Sequence, residues 1–235
     1  MTIFYDNQEL LHSDDFSSLD GWFHEGVGAL KKIDGGGLNL HCFGSVMGDK
    51  GCMAFFRKNL PDQVSIEYEI TVKSHGGMVL NYIAIRGLKG EDLIEDKTLE
   101  PRTGIMRNYF GLKWGLQSYH ISFSRFGDDG VHTQSSNWRR NPGMILAGHG
   151  NDPVMELNRK FHIRITKDLG HLQFFVDGVL GHAMIDRDTS EYPIPDHGKF
   201  GFRLIGTDVQ AEIRNFKVYK IAHDSTVFIS KQNKV

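Results

Sequence analysis

A chain of 235 residues, 40% of them hydrophobic and 24% charged, is long enough for one large globular domain. Its net charge of −2 excludes the positive field that captures nucleic acid, and no apolar run approaches membrane-spanning length. The first residues, Met1–Asp6, lack a basic segment followed by an apolar run, so we read no signal peptide. We therefore expect one cytoplasmic domain over residues 1–235, with neither nucleic acid nor a membrane as its partner.

Alternating hydrophobic and polar residues predict strands along most of the chain. The clearest strand of the first half is Val64–Val72, and a largely buried strand follows it at residues 78–86. Residues 87–104 are polar with little periodicity, which predicts a functional or mobile loop, and residues 105–113 look extended. A further strand is predicted near residue 120, and regular strands follow between residues 161 and 221. With no helix predicted beyond two turns, this spacing indicates an all-β fold, and a two-sheet jelly roll is our first choice.

Residues 119–141 contain most of the side chains suited to binding a ligand, among them a histidine, three arginines and a tryptophan. Tyr119, Ile121 and Phe123 alternate with polar residues, which predicts a strand with one apolar and one polar face. A guanidinium group binds a carboxylate through two parallel bonds, and an indole offers a flat surface to a sugar ring. The pattern therefore suits an anionic, hydroxyl-rich ligand. The candidate ligand-binding residues are Ser122, Ser124, Asn137, Trp138, Arg139, Arg140 and Asn141, together with Arg86 from the strand before.

Several of these candidates have a structural alternative. The polar side chains of His120, Ser122 and Ser124 could simply face solvent, and Trp138 could anchor its loop by hydrophobic packing. Adjacent arginines such as Arg139 and Arg140 cannot both face one pocket in an extended chain. Tyr82 and Arg86 are four residues apart, so in a regular strand both would point to the same face and could join the surface that holds His120.

Three residues are our catalytic candidates. His120 and Tyr82 could serve as base and acid of a lyase, and Arg125 could neutralise a uronate carboxylate. Hydrolysis would instead need two carboxylates, and Glu67 and Glu69 project to one face of their strand at a suitable spacing. That strand pattern is also the ordinary one of a solvated sheet face, which we favour.

Two sets of motifs carry a resemblance to known families. Ile163–Lys167, Phe174–Gly178, Gly198–Arg203 and Ile213–Tyr219 resemble concanavalin A-like jelly rolls of the galectin and glucanase type. Arg102–Ile105, Tyr119–Arg125 and Arg139–Asn141 resemble the bacterial YesU-type family of uncharacterised proteins. The resemblance implies an antiparallel two-sheet β-sandwich with a site on its concave face and a role in breaking down uronic-acid, pectin-type glycans. Glucanases of this fold carry a Glu-x-Asp-x-Glu strand, and Glu67–Glu69 lacks the middle acid.

These observations leave two functions. The first is an enzyme, a lyase or a hydrolase, that acts on short acidic oligosaccharides. The second is a lectin-like protein that binds sugar without chemistry. No phosphate loop, nucleophile elbow or zinc motif is present, so we expect no cofactor. Concanavalin A-like domains often hold a structural calcium, for which Asp14 or Asp15 with Asp208 are candidates. The oligomeric state stays open.

Overall fold

The computed structural model describes residues 5–43, 50–99, 102–110, 115–127 and 129–223. Within these residues the chain forms fifteen strands, one 3-10 turn at Lys97–Leu99 and one short helix, α1, at Arg107–Phe110. The strands are β1 (Tyr5–Asp14), β2 (Trp22–Gly26), β3 (Gly28–Lys32), β4 (Leu38–Cys42), β5 (Gly51–Phe56), β6 (Val64–Val72), β7 (Gly77–Gly87), β8 (Leu116–Phe123), β9 (Ser135–Asn141), β10 (Ile145–Asn151), β11 (Lys160–Asp168), β12 (His171–Val176), β13 (Val179–Ile185), β14 (Lys199–Gly206) and β15 (Val209–His223).

The strands form two antiparallel sheets. The seven-stranded sheet has the order β10-β9-β8-β7-β14-β5-β2. The eight-stranded sheet has the order β13-β12-β11-β6-β15-β4-β3, and β1 pairs with β15. This arrangement confirms the predicted two-sheet β-sandwich. The prediction of one domain over residues 1–235 stays a prediction. No helix in the described part of the chain is long and apolar enough to cross a membrane.

The main core lies between the two sheets and follows from the alternation in the sequence. On β8, the side chains of Tyr119, Ile121 and Phe123 are fully buried in this core. Trp22 joins it from β2, stacked 5.3 Å from Phe202. Because successive side chains of a strand point to opposite faces, the residues between these core positions lie on the outer face of the sheet.

A second apolar cluster lies on the outer face of the seven-stranded sheet. Residues 88–99 and 102–110, which we call the covering segment, contribute Leu93, Ile94, Leu99 and Tyr109 to it. The segment packs on sheet residues that include Phe55 and Tyr82. The extended conformation predicted for residues 105–113 is wrong for residues 107–110, which form α1, and residues 111–113 lie outside the described residues.

Candidate functional site

Strands β8 and β9 bring most of the predicted site residues to one surface. In the register between them, Ser118 lies opposite Asn141, His120 opposite Arg139, and Ser122 opposite Asn137. Tyr82 of β7 lies on the other side of His120. We call the surface made by these residues on the outer side of the seven-stranded sheet the polar face.

His120 is buried at the centre of the polar face, with only 2% of its surface exposed. Asn141 Nδ2 lies 2.9 Å from His120 Nδ1, within hydrogen-bond distance. Burial, together with the positive charges of Arg203 and Arg139, lowers the pKa of His120 to about 3. The imidazole is therefore neutral over the physiological pH range, in a positive environment.

Tyr82 and Arg203 lie beside this histidine, and both are fully buried. Arg203 Nη1 donates to the Tyr82 hydroxyl oxygen over 2.9 Å, and the Tyr82 and His120 ring centroids are 5.4 Å apart. Burial raises the pKa of Tyr82, while the Arg203 charge opposes that rise. Arg203 Nη2 donates to the Gly104 carbonyl oxygen over 3.2 Å, which links the group to the covering segment.

The covering segment is fixed to the sheet by a buried ion pair. Arg102 Nη2 lies 2.9 Å from Glu25 Oε2, and the Arg102 side chain is completely inaccessible. The Tyr109 hydroxyl donates to Glu25 Oε1 over 2.7 Å. Burial and the Glu25 charge raise the pKa of Tyr109. These contacts close the polar face above Tyr82 and Arg203, so the described part of the predicted loop, residues 88–99 and 102–104, is in large part a packed cover.

The polar face is more open at β9, where Asn137 and Arg139 are half-buried. Arg139 Nη1 donates to the Met144 carbonyl oxygen over 2.7 Å. Arg125, just beyond β8, donates from Nη1 to the Ser135 hydroxyl over 2.9 Å. It also donates to the Asn137 side-chain oxygen over 2.7 Å when the Asn137 amide is turned so that both its oxygen and its nitrogen have partners. Burial lowers the pKa of Arg125, although the guanidinium stays charged.

Arg125, Arg139 and Arg203 share one property. In the described part of the chain, none of the three forms an ion pair with a carboxylate; their partners are carbonyl, hydroxyl and amide oxygens. Arg203 Nε is also buried with no acceptor among these residues. Positive charge is therefore concentrated at the polar face, and the carboxylate of Asp152, which accepts from the Arg125 backbone amide over 3.1 Å, offsets part of it.

Trp138 and Arg140 do not belong to this surface. Both point to the opposite side of β9, because they alternate with Asn137, Arg139 and Asn141. Trp138 is fully buried in the main core, so it is no platform for a sugar. Arg140 Nη1 pairs with Asp186 Oδ2 at 3.0 Å, and both side chains are 7% exposed.

Arg86 and Ser124 were also predicted to join the polar face. A bulge at Ala84, with a positive φ of 55°, shifts the register of β7 between Ile83 and Arg86. Arg86 consequently leaves the face of Tyr82 and binds Asp196 at 2.7 Å. Ser124 follows the end of β8 with φ 48°, and its buried hydroxyl has no partner among the described residues.

The carboxylates proposed for hydrolysis lie on the other sheet. Glu67 and Glu69 are on the outer face of β6, where Glu69 lies 3.0 Å from Lys160 and Glu67 accepts from Asn7 over 2.8 Å. Among the described residues, no group of three or more His, Cys, Asp or Glu could hold a metal ion. Asp14 accepts from the Trp22 indole over 2.9 Å, and Asp208 lies 2.6 Å from His41. The calcium hypothesis stays a prediction.

Sequence reasoning missed Arg203, Glu25 and Arg102 as parts of this site. Arg203 could have been recognised from the sequence. Phe200 and Phe202 face the core, and because side chains alternate along a strand, Arg203 must face outward. Glu25 and Arg102 could not, because only the tertiary fold brings them together. They line a cavity of about 540 Å³ at the edge strand β2, with Phe23, Lys50 and Thr103.

Comparison with solved structures supports the fold. A crystal structure of a protein of unknown function with galectin-like fold from Bacillus subtilis superposes with a TM-score of 0.83 at 23% identity, covering 93% of this chain and 99% of that one. The carbohydrate binding module CBM66 from Bacillus subtilis gives 0.54 at 14% identity, with 85% and 95% covered. An endo-β-1,3-glucanase from Pyrococcus furiosus gives 0.59 at 10% identity, with 91% and 95% covered. These likenesses confirm the galectin-like, concanavalin A-like sandwich.

Sequence comparison identifies the family. The uncharacterized protein YesU of Bacillus subtilis (strain 168) is 25% identical over 210 residues, which cover 87% of this chain and 91% of the relative. The family model described as "Domain of unknown function (DUF1961)" matches residues 2–218. The resemblance to the YesU-type family is thereby confirmed, and the chain belongs to the DUF1961 family.

Proposed function

We propose that this protein binds acidic oligosaccharides, of the uronic-acid type, on the polar face. One observation carries the proposal: Arg125 and Arg139 lie on the more open part of this face, and neither forms an ion pair with a carboxylate among the described residues. A sugar carboxylate would supply the missing negative charge, and a guanidinium group can bind it through two parallel hydrogen bonds.

The open part of the face offers partners for sugar hydroxyls as well. Asn137 and Ser122 lie next to each other across β8 and β9, and the exposed His149 of β10 lies opposite Asn137. Structures of similar fold include a carbohydrate binding module and a glycoside hydrolase of family GH16 in complex with an oligosaccharide product. These relatives support carbohydrate as the ligand class, while the acidic character rests on the arginines alone.

Binding without cleavage is the function that the geometry favours. His120 and Tyr82, the candidate base and acid, are 2% and 0% exposed, and Glu25 is engaged by Arg102 and Tyr109. The two carboxylates considered for hydrolysis, Glu67 and Glu69, lie on the other sheet. In the described structure the candidate base and acid lie beneath the covering segment, out of reach of an oligosaccharide on the open part of the polar face.

Calorimetric titration tests this proposal. The protein would be titrated with oligogalacturonates and oligoglucuronates, and with the same oligosaccharides after reduction of their carboxyl groups to alcohols. We expect saturable binding of at least one acidic oligosaccharide and loss of binding by its reduced counterpart. Equal affinity for the two forms would contradict the role of the arginines.

A lyase is the second candidate, because Arg203 donates to the Tyr82 hydroxyl directly beside His120. In such a reaction a base removes the proton at C5, the bond from C4 to the leaving oxygen breaks, and an acid protonates that oxygen. The covering segment would have to open, since Tyr82 is fully buried. A mass spectrum after incubation distinguishes the outcomes: fragments without added water indicate a lyase, fragments with added water a hydrolase, and an unchanged bound oligosaccharide a binding protein.

A further inference from the structure

A second pocket lies on the outer face of the eight-stranded sheet, on the opposite side of the sandwich from the polar face. Its volume is about 320 Å³, within the range of small-ligand pockets. Its lining comes from four strands and includes Tyr5 of β1, Glu67 of β6, His162 and Arg164 of β11, and Gln173 and Phe175 of β12. Register places Phe175, Arg164 and Glu67 side by side across three strands.

Gln173 brings an unsatisfied donor to this pocket. Its side chain is fully buried, and Oε1 accepts from the Thr166 hydroxyl over 3.0 Å. Nε2 has no acceptor among the described residues. A buried amide donor without a partner is unfavourable, and a ligand oxygen in the pocket would relieve that cost.

Arg164 and Glu67 add a donor and an acceptor that offset each other in charge. Arg164 uses Nε to bind the Ser65 hydroxyl and Nη2 to bind the Tyr5 carbonyl, which leaves Nη1 without an acceptor in the described chain. Arg164 Nε lies 3.6 Å from Glu67 Oε1. Glu67 Oε2 faces His162 at 3.5 Å and can accept a further hydrogen bond.

Phe175 completes the pocket with an apolar surface. It is half-buried, and the Arg164 guanidinium carbon lies 5.6 Å from the centre of its ring. Pyranose rings present C–H groups on one face and hydroxyl groups at the edge. An aromatic ring beside paired donors and acceptors matches that chemistry.

We propose that this pocket is a separate binding site for a neutral sugar of about monosaccharide size, recognised by Gln173, Arg164 and Glu67 with Phe175 as its apolar wall. The ligand is neutral because Arg164 and Glu67 compensate each other, and a sugar carboxylate here would meet the Glu67 charge. The proposal does not depend on the polar face, which lies on the other sheet.

Nuclear magnetic resonance tests this site directly. The probes are methyl β-D-glucoside and methyl β-D-galactoside, and the readout is the side-chain amide resonance of Gln173. We expect at least one glycoside to shift this resonance in a saturable manner. The absence of saturable movement at Gln173 with both glycosides would overturn the proposal.

A matched pair of substitutions on β6 separates the pocket from the general charge of the sheet. Glu67→Gln removes the charged acceptor of the pocket and should weaken glycoside binding about tenfold. Glu69→Gln changes the next outward residue, which does not line the pocket, and should leave binding within about twofold. Equal weakening in both variants would contradict the site. If Glu67→Gln fails to fold, Phe175→Ala takes its place, with an expected loss of about fivefold.

Discussion

At the scale of single residues, two neighbouring arginines have opposite roles. Arg139 faces the outer side of the seven-stranded sheet and Arg140 faces the inner side, because side chains alternate along β9. The sequence predicts that the two cannot share one pocket, but it does not say which of them meets the ligand. Only the register of β9 against β8 decides this, by placing Arg139 opposite His120.

Arg139→Gln should weaken binding of an acidic oligosaccharide about tenfold or more, because it removes a charge-assisted hydrogen bond to the sugar carboxylate. Calorimetric titration measures the effect. Arg159→Gln is the control, since Arg159 is exposed and pairs with Glu156 and Asp177 away from the polar face. An equal loss in the control would mean that only net charge matters.

His120 should make the protein less stable in acid. Its pKa in the folded protein is about 3, below the ordinary value of 6.5. Above pH 6.5 both folded and unfolded chains hold it neutral, so it has no effect on stability there. As the pH falls below 6.5, the unfolded chain binds a proton that the folded chain excludes, and the free energy of unfolding decreases.

Chemical denaturation of wild type and His120→Gln at pH 7 and pH 5 measures this contribution. Between these pH values, the wild type should lose about 1–2 kcal/mol more of its unfolding free energy than the variant. Burial also lowers the pKa of His182, to about 4, but this contribution is common to both proteins and cancels. The same pH dependence in both proteins would show that His120 is not excluded from protonation.

At the scale of elements, regular strands were predictable and their irregularities were not. Alternation alone predicted the outward row of β8 and the buried Tyr119. It failed for Arg86, because the single-residue bulge at Ala84 reverses the parity of β7 without a signal such as glycine. It also failed for the covering segment, whose apolar residues have neither helical nor strand periodicity and meet the sheet only through tertiary packing.

Glu25→Ala should loosen the covering segment while the sheets stay folded. The change leaves Arg102 buried without its partner, which typically costs about 3 kcal/mol or more. We expect the Ile105 and Asn108 amides, bonded within the segment, to exchange with solvent about a hundredfold faster. Hydrogen exchange measured residue by residue would show this.

Glu69→Ala is the control for that experiment, because it removes a partly exposed ion pair with Lys160 on the other sheet. Acceleration spread evenly over both sheets in Glu25→Ala would contradict a local role for the ion pair.

At the scale of the whole molecule, Arg140 joins the two sheets. It extends from β9 to Asp186, directly after β13, and the Tyr119 hydroxyl donates to the same carboxylate over 2.6 Å. Arg140 also donates to the carbonyl oxygens of Asp188, Tyr192 and Pro193. Arg140, which the sequence predicted to bind ligand, therefore has a structural role and connects the two sheets.

Arg140→Ala should lower the free energy of unfolding by about 3–5 kcal/mol, because Asp186 and several carbonyl groups lose a buried partner. Affinity of the folded variant for an acidic oligosaccharide should stay unchanged. Urea denaturation and calorimetric titration measure the two quantities. Weakened binding at unchanged stability would place Arg140 in the ligand site.

The fold and the family were predictable because their signals are spread over the whole chain. Strand spacing and the motifs near Ile163, Phe174 and Phe200 each indicate the same sandwich. The site depends on which strands become neighbours. Glu67 and His120 were both candidates in the sequence, with a solvated face favoured for Glu67, and β6 and β8 belong to different sheets, a separation that no local pattern encodes.

The most direct test of the central claim is to map where an acidic oligosaccharide binds. Trigalacturonate would be added to isotope-labelled protein, and the movement of each resonance would be followed by nuclear magnetic resonance. If the sugar carboxylates bind the arginines of the polar face, the largest resonance shifts should occur at Ser122, Asn137 and Arg139. Saturable shifts confined to the outer face of the eight-stranded sheet, or none on the polar face, would contradict the proposed function.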